Sequence, residues 1–194
     1  MKVNSKKISL IFLLFSISLL SSQKDQSKLI SPLDIPLAIS GTFGEIRSGH
    51  FHAGLDIKTG GKQGLKVRTV LDGSVSRIRV STTGYGKAVY IDHPNGTTSV
   101  YAHLKNFSPK IESYIKEAQY EKESYVIEKF PKNELAVLKG EVIGFSGNTG
   151  GSSGPHLHFE IRDTKNQMPF NPMIFNIGVV DTKKPVIQKL FLFH

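Results

Sequence analysis

Three short segments of the chain carry histidines at spacings that suit metal binding and proton transfer. The first also places a carboxylate four positions after its histidine. The segments are residues 52–56, 101–104 and 154–160, which read HAGLD, YAHL and GPHLHFE. The chain contains no cysteine, which excludes a disulfide framework, a thiolate metal site and a cysteine nucleophile. Imidazole and carboxylate ligands without thiolates suit a catalytic zinc site, which keeps one coordination position open.

Strand alternation predicts how these side chains are presented. Successive side chains of a β-strand point to opposite faces, so one face of the third segment is apolar and the other is polar. The polar face is formed by His156, His158, Glu160 and Arg162. In residues 99–104 the same alternation predicts a core face of Val100, Ala102 and Leu104, and an opposite face of Ser99, Tyr101 and His103. We expect the two strands to line one concave site.

The sequence also restricts which groups can act as acid and base at such a site. It contains no His-Glu-x-x-His pattern, so a glutamate base of that kind is excluded. Histidines would have to do the proton transfer, and their ordinary pKa of about 6.5 suits this task near neutral pH.

In their order along the chain, the three motifs resemble those of the lysostaphin-type (LytM-domain) zinc metallopeptidases, which cleave peptidoglycan. The similarity extends from Phe43-Gly44 to Asn171-Pro172 through Gly84-Tyr85-Gly86, Ile91-x-His93 and Gly144-x-x-Gly147-x-Thr149-Gly150. The resemblance implies a compact β-sheet core called the duplicated hybrid motif. It also implies a zinc endopeptidase that hydrolyses amide bonds in the peptide stems or cross-bridges of peptidoglycan.

The same resemblance assigns roles to individual residues. It implies that His52, Asp56 and His158 hold Zn²⁺, and that His103 and His156 flank the reacting groups as catalytic residues. Which histidine is the base stays open. The alternative is a non-catalytic protein of the same fold that binds the cell wall or regulates a separate hydrolase. That alternative predicts the loss of a ligand, whereas all five residues are present.

The spacing of turns and apolar runs independently predicts an all-β core, as a compact antiparallel sheet or barrel-sandwich. Short β-branched runs alternate with glycine turns, and the Asn95-Gly96 pair predicts a hairpin. The predicted strands are residues 65–70, 74–80, 88–92, 97–104 and 142–145.

One segment departs from the β pattern. Ser108-Pro109 is typical of a helix start, and apolar residues at helical spacing predict a surface helix over about 109–122. A short extended stretch follows, ending at Phe130-Pro131. We interpret residues 105–139 as a helical insertion that packs beside the sheet, in preference to a lid that contacts substrate.

The N-terminus predicts export. Lys2, Lys6 and Lys7 precede an apolar run from Ile8 to Leu20, as in a secretory signal peptide, and the run is too short for a permanent membrane anchor. Without these lysines the net charge falls from +9 to +6. We therefore expect a protein of the periplasm or cell envelope, with peptidoglycan peptides and not nucleic acid as its partner.

The predicted organisation is a signal peptide at 1–22, an extended lead-in at 23–40, the peptidase domain at 41–176, and a tail at 177–194 that begins a further β-domain or pairs with the main sheet.

Other candidate residues have structural interpretations. We expect His50 to face solvent and His93 to make a hydrogen bond in the hairpin. Glu160 would either orient a ligand histidine or pair with a basic neighbour. Tyr101 would either pack in the core or line the cleft, and the glycine-rich loop at 147–154 would form a cleft wall that a peptide backbone can approach.

Overall fold

The computed structural model of the chain describes residues 28–132 and 134–179. The predicted signal peptide, the start of the lead-in and most of the tail lie outside these residues. Within them, no helix has both the length and the apolar character needed to cross a bilayer.

The described residues form fourteen short strands, one α-helix and one 3-10 helix. The helix, α1, spans Pro109–Glu121, and the 3-10 helix spans Pro172–Phe175. The strands are β1 (Ile39–Gly41), β2 (Ile46–Arg47), β3 (His50–Phe51), β4 (Leu55–Lys58), β5 (Lys66–Arg68), β6 (Gly73–Val80), β7 (Ala88–Asp92), β8 (Thr97–Ala102), β9 (Asn106–Phe107), β10 (Ile127–Lys129), β11 (Ala136–Val137), β12 (Val142–Phe145), β13 (His156–Asp163) and β14 (Pro169–Phe170).

The strands form one large antiparallel sheet and two small ones. The large sheet has the order β1-β4-β13-β8-β7-β6-β10, with β11 also paired to β6 and β14 to β13. The small sheets are β5-β12-β9 and the hairpin β2-β3. The predicted all-β fold with one helix is therefore confirmed, and so is the Asn95-Gly96 hairpin, because β7 and β8 pair on either side of it.

The main hydrophobic core lies between the large sheet and the three-stranded sheet. Leu157 and Phe159 of β13 belong to the same buried cluster as Val67 of β5 and Ile143 of β12. This arrangement places the apolar face of β13 in the core and leaves its histidine face on the other side, as the alternation predicts.

The described part of the predicted lead-in packs on this core. Leu29, Leu33 and Leu37 are all buried in the main cluster, and Leu33 forms a bridge with Val67. Burying a leucine side chain contributes about 1.5–3 kcal/mol to the free energy of unfolding, so the burial of these three leucines stabilises the fold.

The predicted faces of β8 are wrong. Residues paired directly across antiparallel strands share a face, and Ala102 pairs with His158 while Tyr101 pairs with Phe159. Val100 and Ala102 therefore lie on the histidine face, in a small buried cluster of their own, and Tyr101 lies in the main core.

His103 reaches the histidine face because the strand ends before it. β8 ends at Ala102, and the backbone of His103 has a φ of +57°, in the left-handed region. This conformation breaks the alternation, so Leu104 returns to the main core after it. A non-glycine residue in this region is uncommon and is often found at functional sites.

The position of Tyr101 leads to a stability prediction. Its hydroxyl accepts a hydrogen bond of 2.9 Å from the buried backbone N–H of Val70, and burial raises the pKa of this phenol to about 12. We expect Tyr101→Phe to lower the free energy of unfolding by about 1–3 kcal/mol, because the Val70 N–H would lose its partner. Urea unfolding measures the loss, with Tyr120→Phe at an 80% exposed tyrosine as the control. Equal stability of the two variants would contradict this account.

The helical insertion adds to the far edge of the large sheet. The predicted helix is confirmed at Pro109–Glu121, and it buries Ile111, Ile115 and Ala118. The extended stretch after it becomes β10, which pairs with β6 at the edge of the sheet opposite β1. The insertion therefore packs beside the sheet.

Candidate metal centre

Adjacent strands of the large sheet bring His52, Asp56 and His158 together. Asp56 on β4 pairs directly with His158 on β13, and His52 lies four residues before Asp56. The Oδ1 atom of Asp56 is 3.1 Å from Nε2 of His52 and 3.0 Å from Nδ1 of His158, and these two nitrogens are 3.0 Å apart. All three side chains are buried.

Gly54 lies between His52 and Asp56, at a point where strands β4 and β13 pack closely. A Cβ at Gly54 would overlap the backbone carbonyl of Phe159 and the side chain of Glu160. A glycine at this position therefore lets β4 approach β13 closely enough for Asp56 and His158 to meet.

Hydrogen bonds on the outer side of each imidazole determine which nitrogen faces inward. Nδ1 of His52 donates to the carbonyl oxygen of Thr42 at 2.8 Å, and Nε2 of His158 donates to Oε1 of Glu160 at 2.7 Å. The inward nitrogens therefore carry lone pairs when the rings are neutral, beside an anionic carboxylate oxygen.

This donor set fits a zinc ion. Zinc ligands at about 2.0–2.2 Å in a tetrahedral site lie roughly 3.3 Å from one another, close to the separations of the three inward atoms. The outer hydrogen bonds to the two imidazoles are of the kind that orients histidine ligands of metals.

The charge state of Asp56 suits the same interpretation. Burial opposes ionisation of this carboxyl, but hydrogen bonds with His156, His158 and His52 outweigh burial and hold its pKa well below the usual range. An ionised carboxylate at the centre of three imidazoles provides the negative charge that a metal cation needs.

His103 lies beside this cluster. Its Nδ1 donates to the carbonyl oxygen of Thr149 at 2.8 Å, and its ring centroid is 4.7 Å from that of His156 and 5.9 Å from that of His158. Burial lowers the pKa of His103 to about 4. The ring is therefore neutral near pH 7 and leaves Nε2 free to accept a proton.

His156 lies at the edge of the cluster and is partly exposed. Its Nδ1 donates to the carbonyl oxygen of Gly154 at 2.8 Å, and its Nε2 is 3.4 Å from Oδ1 of Asp56. Burial opposes the charged form of His156, but its hydrogen bond with Asp56 outweighs burial and raises its pKa. All five predicted site residues therefore lie in one cluster.

The cluster lies at the base of an open cleft of about 540 Å³. Its walls come from the β2-β3 hairpin and the strands beside it, the loop around Tyr85, and the predicted glycine-rich wall. The lining residues are Ser40, Glu45, Arg47, His50, His52, Asp56, Gly84, Tyr85, His103, Gly151, Ser152, Ser153, Gly154, Pro155, His156 and His158.

Several lining residues are not among those that the sequence predicts as site residues, and of these Tyr85 and Arg47 contact the cluster through their side chains. Tyr85 lies with its ring 5.1 Å from that of His158, and its hydroxyl donates to Glu160. Arg47 contacts Asp56 from the hairpin. The signal for Tyr85 was its place between two glycines, whereas nothing in the spacing around Arg47 indicated a role.

The remaining described histidines lie outside the cluster. His50 is exposed and lies at the mouth of the cleft. His93 is buried, with Nδ1 bonded to the carbonyl oxygen of Asp72 and Nε2 to the hydroxyl of Ser99. The hydrogen bonds of His93 match the structural interpretation drawn from the hairpin.

Glu160 both orients His158 and pairs with a basic neighbour. Its side chain is fully buried, and it accepts hydrogen bonds from His158, Tyr85 and Arg162. Burial opposes its ionisation, but the hydrogen bonds with His158 and Arg162 outweigh burial and lower its pKa. Both interpretations of Glu160 from the sequence, orientation of a histidine and pairing with a basic neighbour, therefore apply at once.

We expect Glu160→Gln to lower the free energy of unfolding of the metal-free protein by about 3 kcal/mol. The substitution would leave the largely buried guanidinium of Arg162 without its anionic partner. The control is Glu128→Gln, since Glu128 pairs with Arg77 at the surface and its loss should cost less than about 1 kcal/mol. Urea unfolding measures the free energy of unfolding of both variants. Similar losses would show that the buried ion pair contributes no more to stability than the surface pair.

Comparison with known proteins identifies a curated peptidase that is similar in sequence to this chain. The chain is 37% identical over 128 residues to DD-carboxypeptidase/endopeptidase Mpg of Neisseria meningitidis, a match that covers 66% of this chain and 23% of Mpg. The chain thus spans less than a quarter of the length of that relative.

Solved structures share the fold. A zinc containing peptidase from Vibrio cholerae superposes with a TM-score of 0.57 at 24% identity, covering 75% of this chain and 39% of that one. The catalytic domain of lysostaphin, an antimicrobial peptidase from Staphylococcus simulans, superposes with a TM-score of 0.54 at 23% identity, covering 72% and 91%.

A family comparison covers more than half of the chain and includes the whole cluster. The sequence profile of Peptidase family M23 matches residues 50–120 and 128–172, and these residues contain all five members of the cluster. The chain belongs to peptidase family M23.

Proposed function

We propose that this chain is an exported zinc metalloendopeptidase that hydrolyses amide bonds in the peptide stems or cross-bridges of peptidoglycan. The observation that carries the proposal is the convergence of His52 Nε2, Asp56 Oδ1 and His158 Nδ1 beside two further histidines in an open cleft. Three ligands leave a fourth coordination position, which a catalytic zinc site requires.

His52, Asp56 and His158 are the residues that would hold the zinc ion. When bound there, zinc would polarise the scissile carbonyl and lower the pKa of the attacking water. Thr42 and Glu160 would keep the two ligand imidazoles in the tautomers that direct their lone pairs inward.

His103 and His156 would carry out the proton transfers. One imidazole accepts a proton from the water as its oxygen bonds to the carbonyl carbon. The other, protonated at both ring nitrogens, donates a hydrogen bond from Nε2 to the carbonyl oxygen as negative charge develops there. The C–N bond then breaks, and the leaving nitrogen takes up the proton removed from the water.

The shape of the cleft supports a peptide as substrate. One wall, residues 151–155, consists of glycine, serine and proline, so no large side chain keeps a peptide backbone away from the histidines. The relative Mpg is named a DD-carboxypeptidase/endopeptidase, which supports peptidoglycan peptides as the substrate class.

The predicted location supports the same substrate. A signal peptide at residues 1–22 would bring the protein to the periplasm or cell envelope. The net charge of +6 that remains after its removal is compatible with an anionic cell wall.

Digestion of purified peptidoglycan tests the proposal. The protein is incubated with walls of several cross-link types, with and without a chelator, and the released muropeptides are identified by mass spectrometry. We expect new amino and carboxyl ends at one type of amide bond, and their loss when the metal is removed. Undiminished cleavage in chelator would contradict a zinc mechanism.

The same digestion distinguishes the non-catalytic alternative. A wall-binding or hydrolase-regulating protein would sediment with peptidoglycan and release no muropeptide in the presence of zinc. The complete set of five site residues favours the enzyme over this alternative.

A further inference from the structure

We propose that Arg47 is a positioning residue, which holds one oxygen of Asp56 so that the metal is offered only the other. The inference rests on the proposed function, because it takes Asp56 as a metal ligand. It concerns a residue that is neither one of the three proposed zinc ligands nor one of the two proposed catalytic histidines.

The two oxygens of Asp56 have separate partners. Oδ1 faces His52, His158 and His156 at 3.1, 3.0 and 3.4 Å. Oδ2 accepts a hydrogen bond of 2.8 Å from Nη2 of Arg47. A carboxylate bonded on one oxygen by a guanidinium cannot turn that oxygen toward the histidines without breaking a charge-assisted hydrogen bond.

The β2-β3 hairpin delivers Arg47 to this position. Arg47 pairs with His50 across the hairpin, and both residues line the cleft. Ile46 and Phe51 form the neighbouring pair and are 81% and 71% exposed. The hairpin therefore directs its polar pair toward the cleft although its apolar pair is left in solvent, which is the reverse of what burial alone would favour.

Glu45 connects Arg47 to the segment that orients His52. Its Oε2 accepts hydrogen bonds from Nη2 of Arg47 at 3.1 Å and from the backbone N–H of Thr42 at 3.2 Å. The carbonyl oxygen of Thr42 in turn accepts the hydrogen bond from His52. One short network thus holds the outer sides of two proposed ligands, His52 and Asp56.

Gly41 leaves the space for the contact between Arg47 and Asp56. It pairs with Asp56 across β1 and β4, and a Cβ there would overlap both Nη2 of Arg47 and Oδ2 of Asp56. The contact is therefore built from three separate parts of the chain: strand β1, the hairpin and strand β4.

The physical effect of this arrangement is preorganisation of the ligand. A free carboxylate can rotate and present either oxygen or both, and fixing it on metal binding costs conformational entropy. Outer hydrogen bonds to metal ligands typically contribute 10–100-fold to metal affinity or activity.

Zinc affinity measures the role of Arg47 without reference to catalysis. The zinc dissociation constant is determined by competition with a chromophoric chelator for the unaltered protein, Arg47→Met and Arg47→Lys. We expect zinc to bind ~10–100-fold more weakly to Arg47→Met, with partial recovery in Arg47→Lys. The control is Arg77→Met, because Arg77 is exposed to a similar extent, 31% against 36%, and forms an ion pair with Glu128 at the far edge of the sheet.

A second readout and a second variant protect the test against misfolding. Cobalt substituted at the site should show a changed visible absorption spectrum in Arg47→Met, because the coordination by Asp56 changes, and no change in Arg77→Met. Gly41→Ala displaces the same contact from the other side and should weaken zinc binding even if Arg47→Met fails to fold.

The outcomes separate this inference from the proposed function. If zinc binds equally well to the unaltered protein, Arg47→Met and Gly41→Ala, the inference is overturned and the metal centre stands. Unchanged zinc affinity with a raised KM would make Arg47 a substrate contact and would also overturn it. If the unaltered protein binds no zinc, the proposed metal centre is wrong and the inference falls with it.

Discussion

Asp56→Ala is expected to lower zinc affinity by at least a factor of ~100 and to abolish detectable release of muropeptides. Structural zinc sites bind with about 10–16 kcal/mol in total, so one lost ligand of three or four costs at least about 3 kcal/mol. Asp56 also provides the only carboxylate oxygen that faces His52 and His158 in the described cluster. Its removal would leave two neutral imidazoles, which hold zinc weakly.

The measurement combines metal content after dialysis with peptidoglycan digestion at saturating zinc. Asp34→Ala is a matched control, since Asp34 is an aspartate paired with Arg68 at the surface, and this variant should keep full zinc occupancy and activity. Asp56→Asn keeps the shape of the side chain and should show a similar loss, because an amide oxygen carries no net charge. Full zinc occupancy and normal digestion by Asp56→Ala would rule out Asp56 as a ligand.

The histidine face of β13 could be predicted because it depends only on local geometry. Alternation along one strand separates His156, His158 and Glu160 from Leu157 and Phe159, and nothing in the pairing of the strand changes that separation. The strand boundaries at β7 and β12 followed equally well from β-branched runs and the turns beside them.

The faces of β8 could not be predicted in the same way. Alternation gives two sets of residues but does not say which set faces the main core, and here it is the set with Tyr101, while Val100 and Ala102 are buried in the smaller cluster on the other face. The prediction places His103 in the same alternating set as Tyr101, whereas the left-handed backbone of His103 lies beyond the end of the strand. Whether a histidine adopts this conformation depends on tertiary contacts, here its bond to the carbonyl of Thr149.

Arg47 and Tyr85 show a different limit of sequence reasoning. Both reach the cleft from segments whose direction is determined by tertiary packing: Arg47 from strand β2 of the β2-β3 hairpin, and Tyr85 from a loop whose glycines pack against Thr149 and Gly150. Neither residue has a neighbour at a spacing that predicts metal binding or catalysis. Their contacts with Asp56 and Glu160 follow from the fold and not from a local pattern.

Removal of the imidazole of His103 should separate turnover from metal binding. We expect His103→Ala to lower kcat by ~10²–10⁴, the usual contribution of a general acid or base. Stoichiometric zinc should be retained, because His103 contacts neither His52 nor Asp56 through a hydrogen bond, and its Nδ1 is bonded to the carbonyl of Thr149. KM should change little, since the walls of the cleft remain.

The left-handed backbone at His103 requires a second variant. An alanine in this conformation is disfavoured by roughly 1–2 kcal/mol, so a loss of activity in His103→Ala has two explanations, a missing imidazole or a distorted turn. Asparagine tolerates the conformation, and His103→Asn should therefore lose the same turnover while the thermal stability of the protein stays closer to that of the unaltered chain. His93→Asn, at a buried histidine outside the cleft, should keep its turnover. Loss of zinc from His103→Asn would mean that the ligand and catalytic roles have been exchanged, and normal turnover would remove His103 from the mechanism.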